Sequence, residues 1–167
     1  FSNSFVIELG RGCGRACSFC LAGVLYRPVR FRAPEQILGA VDAALAHTDR
    51  IGLLSASVTD YPGLDELCEG LGRLDPLPSV SVSSMRADGD NRSLYRLLAA
   101  SGHHTVTFAP ETGSERLRST VRKQLSDDQL RAGISQAVDA GLSHIKLYFM
   151  LGLDQETAAD RAAIPRL

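Results

Sequence analysis

The stretch FVIELGRGCGRACSFC, residues 5–20, decides how the rest of the chain is read. Its first five residues are a short apolar strand. The strand runs straight into a loop that carries Cys13, Cys17 and Cys20, three of the chain's four cysteines. In parallel α/β architectures, chemistry sits at the C-terminal ends of the strands. Whether this loop is a functional site therefore depends on whether the following residues build such a sheet.

They alternate as such a sheet requires. PEQILGAVDAALAH (34–47) is predicted helical, with Pro34 at the first position and Ile37, Leu38, Val41, Ala44 and Leu45 in one apolar stripe. IGLLSAS (51–57) reads as a buried strand, and GLDELCEGLGRL (63–74) as a helix with Leu64, Leu67, Cys68 and Leu71 on one face. VSVSS (80–84) is a β-branched strand, and NRSLYRLLAAS (91–101) a helix stopped by Gly102. HTVTFAP (104–110) is a strand. SDDQLRAGISQAVDAG (126–141) is a helix with a Ser126–Gln129 capping box and a Gly141 stop. HIKLYFMLGL (144–153) is the last strand, and ETAADRAAI (156–164) begins another helix. Gly23 to Ala33 reads as a loop. The expectation is an α/β fold with about five parallel strands, buried on both faces, and helices outside them.

Composition sets outer bounds. The chain has 167 residues, 44% hydrophobic and 22% charged, as a globular domain does. Its 18 Lys and Arg balance 19 Asp and Glu, so overall charge argues for neither nucleic acid nor an anionic membrane. No apolar run reaches the ~20 residues that span a bilayer. Arg27, Arg30 and Arg32 form a small basic cluster, read as a solvated or ion-paired surface, with a nucleic-acid or reductant-protein patch as the alternative. The chain opens on Phe1 and closes on Leu167, and the expectation is a single core domain over 1–167, a truncated piece of a longer protein.

Three cysteines in eight positions cannot all pair as disulfides. Zinc prefers four tetrahedral ligands in two separated pairs, and only His103 and His104, in another unit, could complete such a set. A 4Fe–4S cluster fits better, because short cysteine-rich loops wrap such clusters and three thiolates leave one iron open. Disulfide and zinc remain as alternatives. Cys68, on an apolar helix stripe, reads as a buried packing residue.

The Cys-x-x-x-Cys-x-aromatic-Cys pattern after the first strand, with Phe19 as the aromatic, resembles the radical S-adenosylmethionine (AdoMet) superfamily. The resemblance extends through RGCGRACSFCLAGVLYRPVRFR (11–32), LLSASVTDYPGL (53–64), SVSSMRAD (81–88), TFAPETGSERLR (107–118) and IKLYFMLGLDQET (145–157). These segments look like an uncharacterised group that often carries a cobalamin-binding domain. TFAPETGSERLR also looks like a segment of methylthiotransferases and oxygen-independent porphyrinogen oxidases. Two departures stand out. Relatives usually end the last strand in Gly-Leu-Pro, where this chain has Gly152-Leu153-Asp154, and many have Gly-Gly-Glu after strand two, where it has Ser55-Ala56-Ser57.

The resemblance implies an incomplete (β/α)6 partial barrel. It implies an oxidoreductase or transferase that uses a 4Fe–4S cluster to cleave AdoMet reductively and abstract a hydrogen atom from an unknown substrate. Cobalamin-dependent methylation, methylthiolation or RNA modification are the reactions it suggests, with cobalamin entering through a domain outside this chain. The isolated piece need not be active. The alternative is an iron–sulfur electron-transfer or binding module without AdoMet chemistry.

By position, the resemblance makes Cys13, Cys17 and Cys20 the cluster ligands, in a loop that Gly12 and Gly14 allow to turn tightly. Phe19 would meet the adenine, and Ser55 and Ser57 the methionyl amino group. Glu111 matches a glutamate that contacts AdoMet, and Lys123 a basic position near the AdoMet carboxylate. Leu151 ends the last strand where relatives pack the adenine. Lys146 shares a strand face with Tyr148 and is expected to face the barrel cavity. Arg86, after strand three, is a candidate for a carboxylate of substrate or AdoMet. Glu8 is expected to pair with Arg11 or to accept hydrogen bonds from the cysteine loop. A reductant protein such as a flavodoxin or ferredoxin would be the partner. The expected location is cytoplasmic, with no membrane; nucleic acid is left open.

Overall fold

The computed structural model describes residues 3–167. Along the chain come β1 (Phe5–Glu8), β2 (Gly10–Arg11), α1 (Ala22–Leu25), β3 (Arg30–Phe31), α2 (Pro34–Leu45) and β4 (Arg50–Leu54). There follow α3 (Leu64–Gly72), β5 (Ser79–Val82), α4 (Arg92–Ala100), β6 (Thr105–Glu111), α5 (Glu115–Thr120), α6 (Asp127–Asp139), β7 (His144–Phe149) and α7 (Ala158–Ala163).

Five of these strands are parallel. β4 pairs with β1 on one side and β5 on the other, with Ile51 opposite both Phe5 and Val80. β6 pairs with β7, Thr107 opposite Lys146. The halves meet at Met85, which bridges in parallel to Phe108 and donates its N–H to Thr107 O at 2.9 Å. The sheet order is therefore the chain order of the five βα units, and the partial barrel stays open.

The helices form as their end signals dictate. Ser126 Oγ accepts from Gln129 N at 3.1 Å and Gln129 Oε1 from Ser126 N at 2.9 Å, a reciprocal cap for α6. Gly102 and Gly141, at φ +86° and +98°, end α4 and α6 in the left-handed conformation that suits glycine. Neighbouring helices pack in the sequence α2–α3–α4–α6 against one face of the sheet. Ile7, Ile51, Leu53, Val80, Val106 and Phe108 point into that layer, onto Leu67, Leu71, Leu94, Leu98 and Leu130.

The expected burial on both faces is not what the strands show. Burial alternates along β6 and β7, and on the face away from the helices Val6, Leu54 and Tyr148 stand 42%, 41% and 48% exposed. An open barrel has no opposite wall to cover its inner face. Three more local features escaped the sequence. The segment 23–33 holds most of the one-turn helix α1 and the strand β3, and α5 begins within TFAPETGSERLR. β7 stops at Phe149, four residues early and ahead of Gly152, which sits at φ +80°.

Candidate functional site

The cysteine loop leaves β1 at the C-terminal rim of the sheet. Its base is a two-residue antiparallel ladder, Gly10 opposite Phe31 and Arg11 opposite Arg30, so residues 12–29 form a closed excursion. The Phe31 and Tyr61 rings meet edge to face at 5.7 Å, and Tyr61 Oη donates to Arg32 O at 2.8 Å. Such an aromatic pair contributes about 1 kcal/mol. Ser18 N donates to Val121 O at 2.9 Å, tying the middle of the loop to the end of α5.

Two glycines let the loop fold onto itself. A Cβ on Gly12, at φ +91°, would lie 2.0 Å from Tyr26 O, and one on Gly23 would lie 2.4 Å from Arg15 O. Gly14, which the sequence suggested for this role, has open space around it and no positive φ. The tight approach occurs where the two ends of the loop pass each other, which spacing alone does not reveal.

Cys13, Cys17 and Cys20 are all free, the first two half-buried and the third exposed. All three line one cavity of about 150 Å³, shared with Phe19, Ser57, Arg86, Glu111 and Lys123. Five of the eight non-cysteine candidates therefore come together around the cysteines. Ser55 lies just behind, buried, its Oγ accepting from Ser57 N at 3.4 Å. Lys146 and Leu151 do not reach the cavity. Lys146 is exposed on the open face of β7, its Nζ 5.5 Å from the Tyr148 ring, opposite Thr107 and about 13 Å along the sheet from Glu111. Leu151 is 66% exposed beyond the end of β7. Glu8 pairs with Arg11 through two hydrogen bonds of 2.9 Å and takes no part in the cavity.

Among the described residues, no three His, Cys, Asp or Glu side chains gather closely enough to hold a single metal ion. Tetrahedral zinc needs its sulfurs about 3.8 Å apart, from a Zn–S length of about 2.3 Å. A 4Fe–4S cluster presents separate irons at separate corners, so its thiolates stand farther apart. The three free thiols line one cavity, and neither His103 nor His104 is among the residues lining it. The Ser57 hydroxyl, buried on the same cavity, has no hydrogen-bond partner of normal geometry, though it lies near enough to Asp60 to help hold that carboxyl low.

The polar residues on the cavity are held by a chain of ion pairs. Lys123 Nζ donates to Glu111 Oε1 at 2.9 Å, the two side chains 9% and 15% exposed. Glu111 has φ +71° after a register shift at the end of β6, an uncommon conformation for a non-glycine residue. Arg86 is buried. Its Nε and Nη2 donate to the two oxygens of Asp88 at 2.7 and 2.9 Å, and Nη1 and Nη2 donate to the carbonyls of Lys123 and Gln124 at 3.0 Å each. A guanidinium has five N–H donors, so one remains.

Arg15, inside the cysteine loop, donates to Asp60 Oδ2 at 3.0 Å and Oδ1 at 2.6 Å, and its Nη2 lies 3.4 Å from Asp88 Oδ2. Burial pushes the Asp60 carboxyl up, but its bonds to Arg15 outweigh that and hold it below the ordinary carboxylate range. Burial pushes the Cys17 thiol up, against the opposing charges of Lys123 and Arg86. Binding an iron would displace that proton.

The sequence reading missed Arg15, Asp60, Asp88 and Arg118. The first three follow the C-terminal ends of β1, β4 and β5, a positional signal that could have flagged them. Arg118 is fully buried. It donates to Leu125 O at 2.7 Å and Thr112 O at 2.9 Å and pairs with Asp127, fastening α5 and the Lys123 turn to the end of β6. Cys68 lies outside the site in the helix layer, its thiol pushed up to about 12 by burial. No helix among the described residues is long and apolar enough to cross a membrane.

Comparison with known proteins adds the last observations. The family model described as the radical SAM superfamily matches residues 7–167. An uncharacterized protein of Methanocaldococcus jannaschii is 38% identical over 162 residues, which is 96% of this chain and 35% of that protein. A tRNA-2-methylthio-N(6)-dimethylallyladenosine synthase of Frankia casuarinae is 26% identical over 93% of this chain and 31% of its own length. Among solved structures, the cobalamin-dependent AdoMet radical enzyme OxsB, with aqua-cobalamin and AdoMet bound, superposes with a TM-score of 0.75 at 16% identity, over 96% of this chain and 25% of its own. The chain thus spans about a third of the curated relatives it matches.

Proposed function

The chain belongs to the radical SAM superfamily, and from that membership we propose that its parent protein cleaves AdoMet reductively and abstracts a hydrogen atom from a substrate. Membership implies a 4Fe–4S cluster and AdoMet as cofactors. The observation that carries the proposal is the single cavity lined by Cys13, Cys17, Cys20, Ser57, Arg86, Glu111 and Lys123 at the rim of the sheet.

When bound, the cluster supplies the electron that splits AdoMet into methionine and a 5′-deoxyadenosyl radical. Cys13, Cys17 and Cys20 would hold the cluster as thiolates and leave one corner without a protein ligand. The Ser57 hydroxyl on the cavity is suited to the methionyl amino group. Glu111 and Lys123 offer a carboxylate and an ammonium side by side, complementary to the amino and carboxylate groups of the same moiety. The remaining Arg86 donor could reach a carboxylate. Phe19 would pack against the adenine and exclude water. Ser55 supports Ser57 from behind. Lys146 and Leu151, outside the cavity, belong in this reading to the open inner face, where substrate would enter.

The shared fold with cobalamin-dependent OxsB is compatible with cobalamin on another domain of the parent, and with cobalamin there the reaction would be a methyl transfer. The 26% identity to a tRNA methylthio-synthase supports methylthiolation of an RNA base as the second reaction. The electron would come from a flavodoxin- or ferredoxin-type reductant in the cytoplasm, where thiols stay reduced.

The test is electron paramagnetic resonance of anaerobically reconstituted, dithionite-reduced full-length protein, with and without AdoMet, together with assay of 5′-deoxyadenosine. The expected result is a 4Fe–4S signal that changes on adding AdoMet, with slow release of 5′-deoxyadenosine. A signal indifferent to AdoMet would make the chain an electron-transfer or binding module. Zinc in place of iron would overturn both readings.

A further inference from the structure

We propose that Arg15 is a positioning residue. Clamped between Asp60 and Asp88, it holds the cysteine loop over the cavity before any cluster is present, and the two carboxylates neutralise its charge beside the cluster. This rests on the cluster-binding reading above and concerns residues to which that reading gives no role.

The geometry is specific. Arg15 lies between Cys13 and Cys17 in sequence, and its own backbone N–H points at Cys13 Sγ across 3.4 Å. Its guanidinium meets Asp60, from the turn after β4, in a two-pronged contact, and then Asp88, from the loop after β5. Asp88 is simultaneously gripped by Arg86, which reaches on to the Lys123 and Gln124 carbonyls. One connected set of charge-assisted bonds thus joins the loops after four strands. A planar guanidinium can make both contacts at once; a lysine ammonium cannot reproduce the fork.

Charge matters here as well. Arg15, Arg86, Lys123 and Glu111 line the cavity, Asp60 and Asp88 are bonded to Arg15 and Arg86 beside it, and Arg122 lines the adjoining clefts with the same cysteines. Removing one member of these pairs leaves an uncompensated charge beside the three cysteines. Cluster reduction potentials respond to net nearby charge, and an unpaired charge acts strongly where water is partly excluded. Asp88 is the better probe of this than Asp60, because its side chain is 13% exposed against 25%.

The clamp makes separable demands on three variants of the full-length protein. Arg15→Gln removes both fork and charge. Arg15→Lys keeps the charge and loses the fork. Asp88→Asn keeps the shape and loses a negative charge. In cluster-free protein, amide exchange of residues 12–20 should rise about three- to tenfold in both Arg15 variants, the range expected for a partly exposed charged hydrogen-bond pair. Iron and sulfide per chain after reconstitution should fall in both of them.

In the clusters that do form, the midpoint potential should move down in Arg15→Gln, stay near wild type in Arg15→Lys and move up in Asp88→Asn. Loop exchange and iron loading unchanged in Arg15→Gln would overturn the positioning role. Potentials that ignore the sign of the charge change would overturn the neutralising role. Wild-type protein that takes up no iron would instead refute the cluster reading itself.

Discussion

Lys123 donates to Glu111 across 2.9 Å on a cavity that neither segment could form alone, the lysine lying beyond α5 and the glutamate ending β6. Removing one partner of so shielded a pair leaves a stranded charge, at a cost of about 3 kcal/mol. Glu111→Gln and Lys123→Met should each lower unfolding stability by that order. The double variant should recover most of it, because two neutral groups leave nothing unpaired. Urea unfolding of the three variants checks the pattern, and equal loss in all three would show the pair to be incidental. AdoMet affinity should fall in every one of them, double variant included.

The four cysteines should divide three to one. Cys13→Ala, Cys17→Ala and Cys20→Ala should each cut iron and sulfide per chain sharply. Cys68→Ala, in the helix layer, should load iron as wild type does and lose about 1 kcal/mol of stability for a small buried side chain. Iron analysis alongside thermal unfolding distinguishes the classes. A Cys68 variant that loses its iron would mean that the fourth thiol reaches the site.

The glycines make a sharper geometric claim. Gly12→Ala and Gly23→Ala should open the cysteine loop, because each new methyl would meet a backbone carbonyl at 2.0 or 2.4 Å. Gly14→Ala should be within about 0.5 kcal/mol of wild type. Proteolytic sensitivity of segment 12–29 is the convenient readout, and equal behaviour of all three would contradict the loop path.

Asp160 gives a pH dependence. Arg116, then Ser114 and Thr157, bond its carboxylate and hold its pKa below the ordinary value of 3.8. A carboxylate depressed in the folded state stabilises the fold in full above the unfolded-state pKa. That contribution is lost as pH falls through the lower folded-state value. α7, which Asp160 caps through Thr157 N at 2.8 Å, should therefore stay docked at pH 4 and loosen only well below 3.8. Asp160→Asn should be less stable at neutral pH, with the difference closing in strong acid. Stability measured from pH 6 to pH 2 tests this; a gap that widens on acidification would reverse the sign.

Much of the architecture was legible because it is written locally. Periodicity located α2, α3, α4 and α6, and caps at Ser126, Gly102 and Gly141 marked ends within a residue or two. Cues at three- and four-residue spacing failed where contacts close over longer stretches. α5, capped by Ser114, is held by Arg118 buried against Leu125, Thr112 and Asp127. The loop path depends on Gly23 passing Arg15, and burial of the strands on one face follows from a barrel left open. Lys146 was placed by strand alternation and Leu151 by its position at the end of the last strand; neither cue says how far along the strand the cavity reaches.

The sequence by itself determined that strands and helices alternate, that three cysteines follow the first strand, and which family the pattern resembles. Those properties depend on residue type and spacing within one segment. Only the tertiary structure decided that Ser57, Arg86, Glu111 and Lys123 share a cavity with the cysteines while Lys146 does not, and that Arg15 is gripped by Asp60 and Asp88. Those residues come from the ends of different strands. Their meeting depends on sheet register and loop path, which are set by packing over the whole molecule and not by any neighbour in sequence.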